Sequence, residues 1–291
     1  MTNPNEPDHP NLPDSLSDDV TGDGVFQIVL DSYEAMYDAL PGGGELFNRI
    51  WRSNAYRSEF PIEFAHIGFL TLTEGERMLD LLGVSPDAVL VDLACGSGGP
   101  GLWAAQHTGA SLIGIDPAAS GIAAARSRAL NTGLEQRSRF EQGTFARTGL
   151  GNGAADAVMS VEAFQYAPDK RAALAEIFRI LRPGGRVAFI GFEVDPAKAA
   201  GLPVLGVDPI ADYRPLIEGA GFVVDAYEET PGWPDRVYGV FSAIIEASDA
   251  LAADIGPQAA AGAVAEAMIT VQMKPYPRRI LAGAHKLSRS P

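Results

Sequence analysis

The sequence predicts an α/β fold: a doubly wound, mostly parallel seven-stranded sheet preceded by an amino-terminal helical cap. Two observations carry this expectation. The apolar run Val89-Leu90-Val91-Asp92-Leu93 enters a glycine-dense turn, Ala94-Cys95-Gly96-Ser97-Gly98-Gly99, and a helical pattern follows, as when a buried strand feeds a tight loop beneath a ligand. Short apolar runs then alternate with helical stretches as far as residue 192, the order that parallel strands joined by crossover helices require.

Taken in order, Met1 to Asp23 is rich in proline, asparagine and acids, lacks an apolar signal-peptide core, and reads as a flexible acidic tail. From Gly24 to Leu40, Phe26, Ile28, Val29, Tyr33, Met36 and Tyr37 recur at helical spacing, suiting an amphipathic lid. Pro41-Gly42-Gly43-Gly44 breaks that pattern. Phe47, Trp51, Tyr56, Phe60 and Phe64 follow, either covering a pocket or simply packing the amino-terminal helices. Thr71 to Leu82 reads as a helix capped by Thr73, with Glu76 three residues on, and Gly83 to Asp87 turns the chain into the sheet. Residues 24–82 are thus expected to form the cap and 83–291 the core. Within the core, strands are expected at 88–93, 111–116, 137–142, 157–162, 186–192, 221–227 and 280–286. Helices are expected at 99–108, 120–134, 169–181, 211–220 and 237–269, and Pro183-Gly184-Gly185 reads as a terminating turn. The segments 193–210 and 232–275 are read as insertions bordering a substrate.

Composition narrows the partners. With 22 basic against 37 acidic side chains in 291 residues, the net charge is -15, which disfavours nucleic-acid phosphates and anionic lipid. No apolar run is long and charge-free enough to span a bilayer, so neither nucleic acid nor membrane is an expected partner, and a cytoplasmic location is the default. Cys95 is the single cysteine, excluding an intrachain disulfide and a multi-cysteine metal site; it reads as a small packed thiol. The four histidines form no metal motif, and no metal is required. Oligomeric state is left open, a homodimer included.

The chemistry centres on the glycine turn. Gly96, Gly98 and Gly101 make a literal G-x-G-x-x-G, which admits nicotinamide and other nucleotide cofactors alike. Ser111-Leu112-Ile113-Gly114-Ile115-Asp116 ends a second strand in an acid about twenty residues on, the spacing of a ribose-binding carboxylate. The wider pattern resembles the class I S-adenosylmethionine-dependent methyltransferase family, its small-molecule or natural-product subset. Besides Asp92-Leu93-Ala94-Cys95-Gly96-Ser97-Gly98 and Asp116, the resemblance rests on Gly143-Thr144-Phe145, Asp156-Ala157-Val158, Ser160 to Tyr166, Leu181-Arg182-Pro183-Gly184-Gly185 and Gly219-Ala220-Gly221-Phe222, over roughly 63–232. Ala94 stands where the family usually has its first glycine. His66-Ile67-Gly68-Phe69 resembles the histidine-glycine-aromatic segment of sterol, tocopherol and natural-product members, with Phe69 and Leu70 where many have tyrosine then tryptophan.

The resemblance implies a Rossmann-like fold, S-adenosyl-L-methionine as cofactor, S-adenosyl-L-homocysteine as product, and a small organic methyl acceptor. The residues it implies at the cofactor are Asp92, Ala94, Gly96, Gly98, Asp116, Pro117, Thr144, Phe145 and Ser160. Methyl transfer rests largely on orientation and does not demand a base. Glu162 is read as a group that orients an acceptor or takes its proton, Tyr166 as a hydrogen-bonding neighbour, and His66 as a second proton-exchanging candidate; each also reads as pocket wall or packing. A non-methylating cyclase on the same fold, a cofactor-binding regulatory protein and, more weakly, a nicotinamide dehydrogenase are the alternatives.

Overall fold

The computed structural model describes residues 22–40, 44–56, 59–202, 205–206 and 208–288. Met1 to Thr21 of the expected tail, and Pro41 to Gly43 of the expected break, lie outside the described residues. Among the described residues three α-helices precede the sheet. The first, α1 (Gly22–Ala39), buries Val29 and Met36. The second, α2 (Glu45–Trp51), continues into a π-turn at Arg52–Tyr56, and together they bury Phe47, Ile50, Trp51, Ala55 and Tyr56. The third, α3 (Leu72–Leu82), is capped one frame earlier than expected. Thr71, not Thr73, takes the amide of Glu74, whose carboxylate accepts from the Thr71 amide at 3.1 Å. Thr-x-x-Glu occurs twice here, and burial selects between the two: the earlier frame buries Gly75, Met78, Leu79, Leu82 and Glu74, while Thr73 and Glu76 face solvent.

The sheet opens with β1 (Val89–Leu93), α4 (Gly99–Thr108), β2 (Ser111–Asp116), α5 (Ala119–Asn131), β3 (Ser138–Gln142), β4 (Ala155–Val161), α6 (Lys170–Ile180) and β5 (Leu181–Glu193). These five strands are parallel. Then come α7 (Pro196–Ala199), α8 (Arg214–Gly219), β6 (Phe222–Glu229), α9 (Trp233–Glu246), α10 (Ser248–Ile255), α11 (Pro257–Met273) and β7 (Arg278–Lys286). The order is β3-β2-β1-β4-β5-β7-β6, with β7 antiparallel to both neighbours. The predicted doubly wound, mostly parallel seven-stranded sheet is therefore what the chain builds. Two expectations differ: the helix expected over 237–269 is three, α9, α10 and α11, with Gly256 at φ 82° between the last two, and β5 starts at Leu181, so Pro183-Gly184-Gly185 is a bulge inside the strand, where pairing slips between Ala155 and Ala157. Proline supplies no ladder amide and Gly184 takes a φ of 80°, both suited to an interrupted ladder.

Successive β1 residues enter different cores, Leu90 with Met159 and Ile190 on one face, Val91 with Val158 and Phe189 on the other. Burial on both faces is what makes the strand an unbroken apolar run rather than an alternating one. The parallel register sets Leu93 beside Ile115, so the segments leaving β1 and β2 share one edge of the sheet. Among the described residues, no helix is long and apolar enough to cross a membrane, and no cluster of histidine, cysteine and acidic residues is placed to hold a metal ion.

Candidate functional site

Beyond that edge the backbone after β1 coils through three successive left-handed positions: Ala94 at φ 62°, Gly96 at 51° and Gly98 at 77°. Glycine occupies this region without strain, whereas a Cβ there costs about 1 kcal/mol, so Ala94 holds a conformation for which its residue type is not the natural choice. Gly98 then serves as the left-handed N-cap of α4. Asp116 ties the turn to β2: one carboxylate oxygen accepts from the Gly96 amide at 2.7 Å, the other from Ala118 at 2.8 Å. Asp92 is buried beneath the turn, and among the described residues its Oδ2 has no hydrogen-bond partner. Burial, reinforced by the Asp116 charge, pushes its carboxyl up to about 7, and burial raises Asp116 to about 6.

Two chambers meet above this edge. The first lies over the turn, encloses about 890 Å³ including its open mouth, and is lined by Asp92, Ala94, Gly96, Asp116, Pro117 and Phe145, among others. The second, about 810 Å³ on the same measure, is walled by Phe47, Trp51, Phe69, Phe192, Phe241 and Ile244. Val29, Tyr33, Ile67, Glu162 and Tyr166 line both and form the partition between them. The helix α1 thus faces both chambers, and it is fastened beside the first. Glu34 accepts from the amides of Ala119 and Ser120 at 2.6 and 2.9 Å, capping α5 from outside.

Glu162 sits just past β4 at φ 56°, a left-handed position rare for a side chain of its size. Both of its oxygens are engaged: Oε2 takes the Phe69 amide at 2.6 Å and Oε1 takes Arg279 Nε at 2.6 Å. Gly68 makes the first contact feasible, because a Cβ there would lie 2.7 Å from Oε2. Arg279, on β7 and with 0% side-chain exposure, also donates to Glu74 at 2.9 Å and Thr230 at 2.7 Å. Glu74 pairs in addition with Arg236. Burial raises the Glu162 carboxyl and the Arg279 charge opposes the rise.

His66 lines the first chamber, stacked on Tyr56 at 4.5 Å and edge-on to Phe60 at 4.7 Å. Burial pushes its imidazole down to about 4, so it is neutral near pH 7. Tyr166 rides a 3-10 turn, Phe164–Tyr166, whose flanking carbonyls at Gln165 and Ala167 receive the ammonium of fully buried Lys170 at 3.3 and 3.0 Å. The Tyr166 hydroxyl donates to Glu266 of α11 at 2.8 Å.

The structure therefore brings Asp92, Ala94, Gly96, Asp116, Pro117, Phe145, His66, Glu162 and Tyr166 to the chambers' walls. Gly98 lies in the turn without lining them, Thr144 bridges back to Arg147, and Ser160 is buried in β4 with a hydroxyl that has no partner among the described residues. Sequence reasoning missed Arg279 and Glu266. The one available signal for Glu266 is that it is the sole charged residue in the seventeen of α11.

Residues 91–189 match the family model described as a methyltransferase domain. The methyltransferase GfsG of Streptomyces halstedii is 28% identical over 202 residues, covering 64% of this chain and 70% of the relative. The 27-O-demethylrifamycin SV methyltransferase of Amycolatopsis mediterranei is 24% identical over 213 residues, 68% of this chain and 77% of the relative. Among solved structures, the [4+2]-cyclase SpnF shares the fold at a TM-score of 0.67 and 19% identity, covering 92% of this chain and 97% of that one.

Proposed function

The chain belongs to the class I S-adenosylmethionine-dependent methyltransferases, and on that premise we propose that it methylates a bulky, largely apolar small molecule of specialised metabolism. The observation that carries this reading is the pair of joined chambers, one floored by the acidic glycine turn and the other walled by aromatic rings. The natural-product relatives support the acceptor class.

Two features fit the cofactor. The unpartnered, buried Asp92 oxygen calls for a donor, and Gly96 brings backbone without a side chain to the chamber wall. Asp92 would receive the methionyl ammonium, Asp116 the ribose hydroxyls, and Pro117 and Phe145 would flank the adenine. Gly96 would give close backbone contact, and Ala94, Gly98, Thr144 and Ser160 would shape the loops around it. S-adenosyl-L-methionine supplies the electrophilic sulfonium methyl and leaves as S-adenosyl-L-homocysteine. Glu162 is assigned a positioning role, since the Arg279 ion pair neutralises it while its other oxygen holds the Phe69 amide. His66, neutral and held by aromatic rings, orients the partition. The segments 24–82 and 232–275 act as the enclosing cap over the core, 193–210 borders the acceptor, and the protein works in the cytoplasm.

Calorimetric titration with S-adenosylhomocysteine tests the cofactor assignment. Asp116→Asn is expected to weaken binding by about 10- to 100-fold, the range of a charge-assisted hydrogen bond. Unchanged affinity in a folded variant would remove Asp116 from the site. Mass spectrometry of candidate acceptors with S-adenosylmethionine tests the reaction: a methyl gain with S-adenosylhomocysteine release is expected, whereas an isomeric product without that gain would point to cyclisation instead.

A further inference from the structure

The second chamber contains a polar cluster that neither the cofactor nor the Arg279 network uses. Among the described residues its walls include no lysine, arginine or histidine, and just two carboxylates, Glu162 and Glu266. Glu162 is neutralised by Arg279, which leaves Glu266 as the one lining acid without an ion-pair partner among the described residues. Glu266 is half-buried, and its side chain lines the chamber. Its hydrogen bond comes from Tyr166, which stands in the partition, and Tyr33 and Tyr276 close the cluster around it. Burial raises the Glu266 carboxyl, opposed by the Tyr166 hydrogen bond. An acid set in an apolar chamber is costly unless something polar meets it.

We infer that the acceptor is a neutral, mainly hydrocarbon molecule carrying a hydroxyl, and that this hydroxyl docks on the Tyr166–Glu266 pair, which takes up its proton during transfer. The inference rests on the methyl-transfer reading above and specifies its second substrate. In the step, the acceptor oxygen bonds to the methyl carbon, the carbon–sulfur bond of the sulfonium breaks with its electron pair left on sulfur, and the hydroxyl proton passes to the Glu266 carboxylate. Where Tyr166 stands between them, its hydroxyl hands one proton on as it accepts the other. One sulfonium charge is thereby cancelled by one carboxylate charge, so methyl transfer leaves no new charge in the apolar chamber. The Lys170 contacts to the carbonyls of Gln165 and Ala167 hold the turn that aims Tyr166 at this point.

The test uses the full chain saturated with S-adenosylhomocysteine and three fluorescent probes: 1-naphthol, naphthalene, and 1-naphthylmethylammonium. The wild-type protein is expected to bind naphthol about tenfold more tightly than naphthalene, the factor expected of one well-made hydrogen bond. In Glu266→Leu that preference collapses because naphthol weakens while naphthalene holds, and in Tyr166→Phe it is reduced. Equal binding of naphthol and naphthalene by the wild type, or a preference that survives in Glu266→Leu, overturns the inference. Tightest binding of the ammonium also overturns it, in favour of a cationic acceptor. S-adenosylhomocysteine affinity of Glu266→Leu, read by calorimetry, reports separately on the fold and cofactor chamber; its absence in the wild type would defeat the underlying reading instead.

Discussion

Replacing Arg279 with methionine keeps a long, flexible, apolar stem in the same space and removes the cation from three partners: Glu162, Glu74 and Thr230. The loss falls unevenly. Glu74 keeps Arg236 and the Thr71 amide, whereas Glu162 is left with the Phe69 amide alone. An uncompensated carboxylate is then buried at the partition, and removing one partner of a buried pair costs about 3–5 kcal/mol. Glu162→Gln alone leaves Arg279 still paired with Glu74, at a cost of about 1–2 kcal/mol. Because the glutamine carries no charge, the double variant should be more stable than Arg279→Met by about 2 kcal/mol, a strong departure from additivity. Urea unfolding at neutral pH measures all four corners of the cycle. A cost below about 1 kcal/mol for Arg279→Met, or additive effects in the double variant, would refute the view that Arg279 neutralises Glu162.

Two further outcomes follow from the chambers' floor and roof. Asp92 is raised to about 7 in the folded protein, above its ordinary value of 3.8, so its contribution to stability is full below pH 3.8 and is lost as pH rises through 7. Asp92→Asn should therefore flatten the loss of urea stability of the unliganded protein between pH 5 and 8, by up to about 3 kcal/mol; the same slope in both proteins would show that Asp92 ionises freely. Glu34→Ala removes the outside cap of α5, with an expected cost of about 1 kcal/mol and faster amide hydrogen exchange along α1. Exchange in α1 that does not change would mean that the helix is held by its apolar face alone.

The alternation of apolar runs and crossover helices is legible because parallel strands are buried on both faces and carry their own signal. The position of the Thr71 cap is less so, because two overlapping Thr-x-x-Glu frames have the same local chemistry and the choice depends on Arg236 and Arg279, far along the chain. The same holds at the site. Asp92, Gly96 and Asp116 are read from spacing within a single strand-turn-strand unit, whereas adjacent Arg278 and Arg279 look alike until strand alternation places one at 36% side-chain exposure and the other at 0%. Glu266 sits in an alanine-rich helix with little amphipathic contrast, so nothing nearby in sequence says that it faces inward. Glu162 is conspicuous in sequence as the acid after β4, yet its commitment to Phe69 and Arg279 depends on contacts 93 and 117 residues away.

The placement of β7 also sets an order of assembly. Among the described residues β6 pairs with β7 alone, so although it is synthesised earlier it has no ladder until β7 arrives, and β5 keeps an open edge for the same interval. The strand that closes the sheet also carries Arg279, which reaches Glu74 across 205 residues. A closure over that distance is slow because the entropy of ordering the intervening chain is lost before the contact forms. Until then Glu74 and Glu162 lack the Arg279 contact that joins them in the folded protein. Completion of the sheet and completion of the site are therefore expected to coincide in refolding, with pulse-labelled amides of β6 and of the His66 to Phe69 segment becoming protected together.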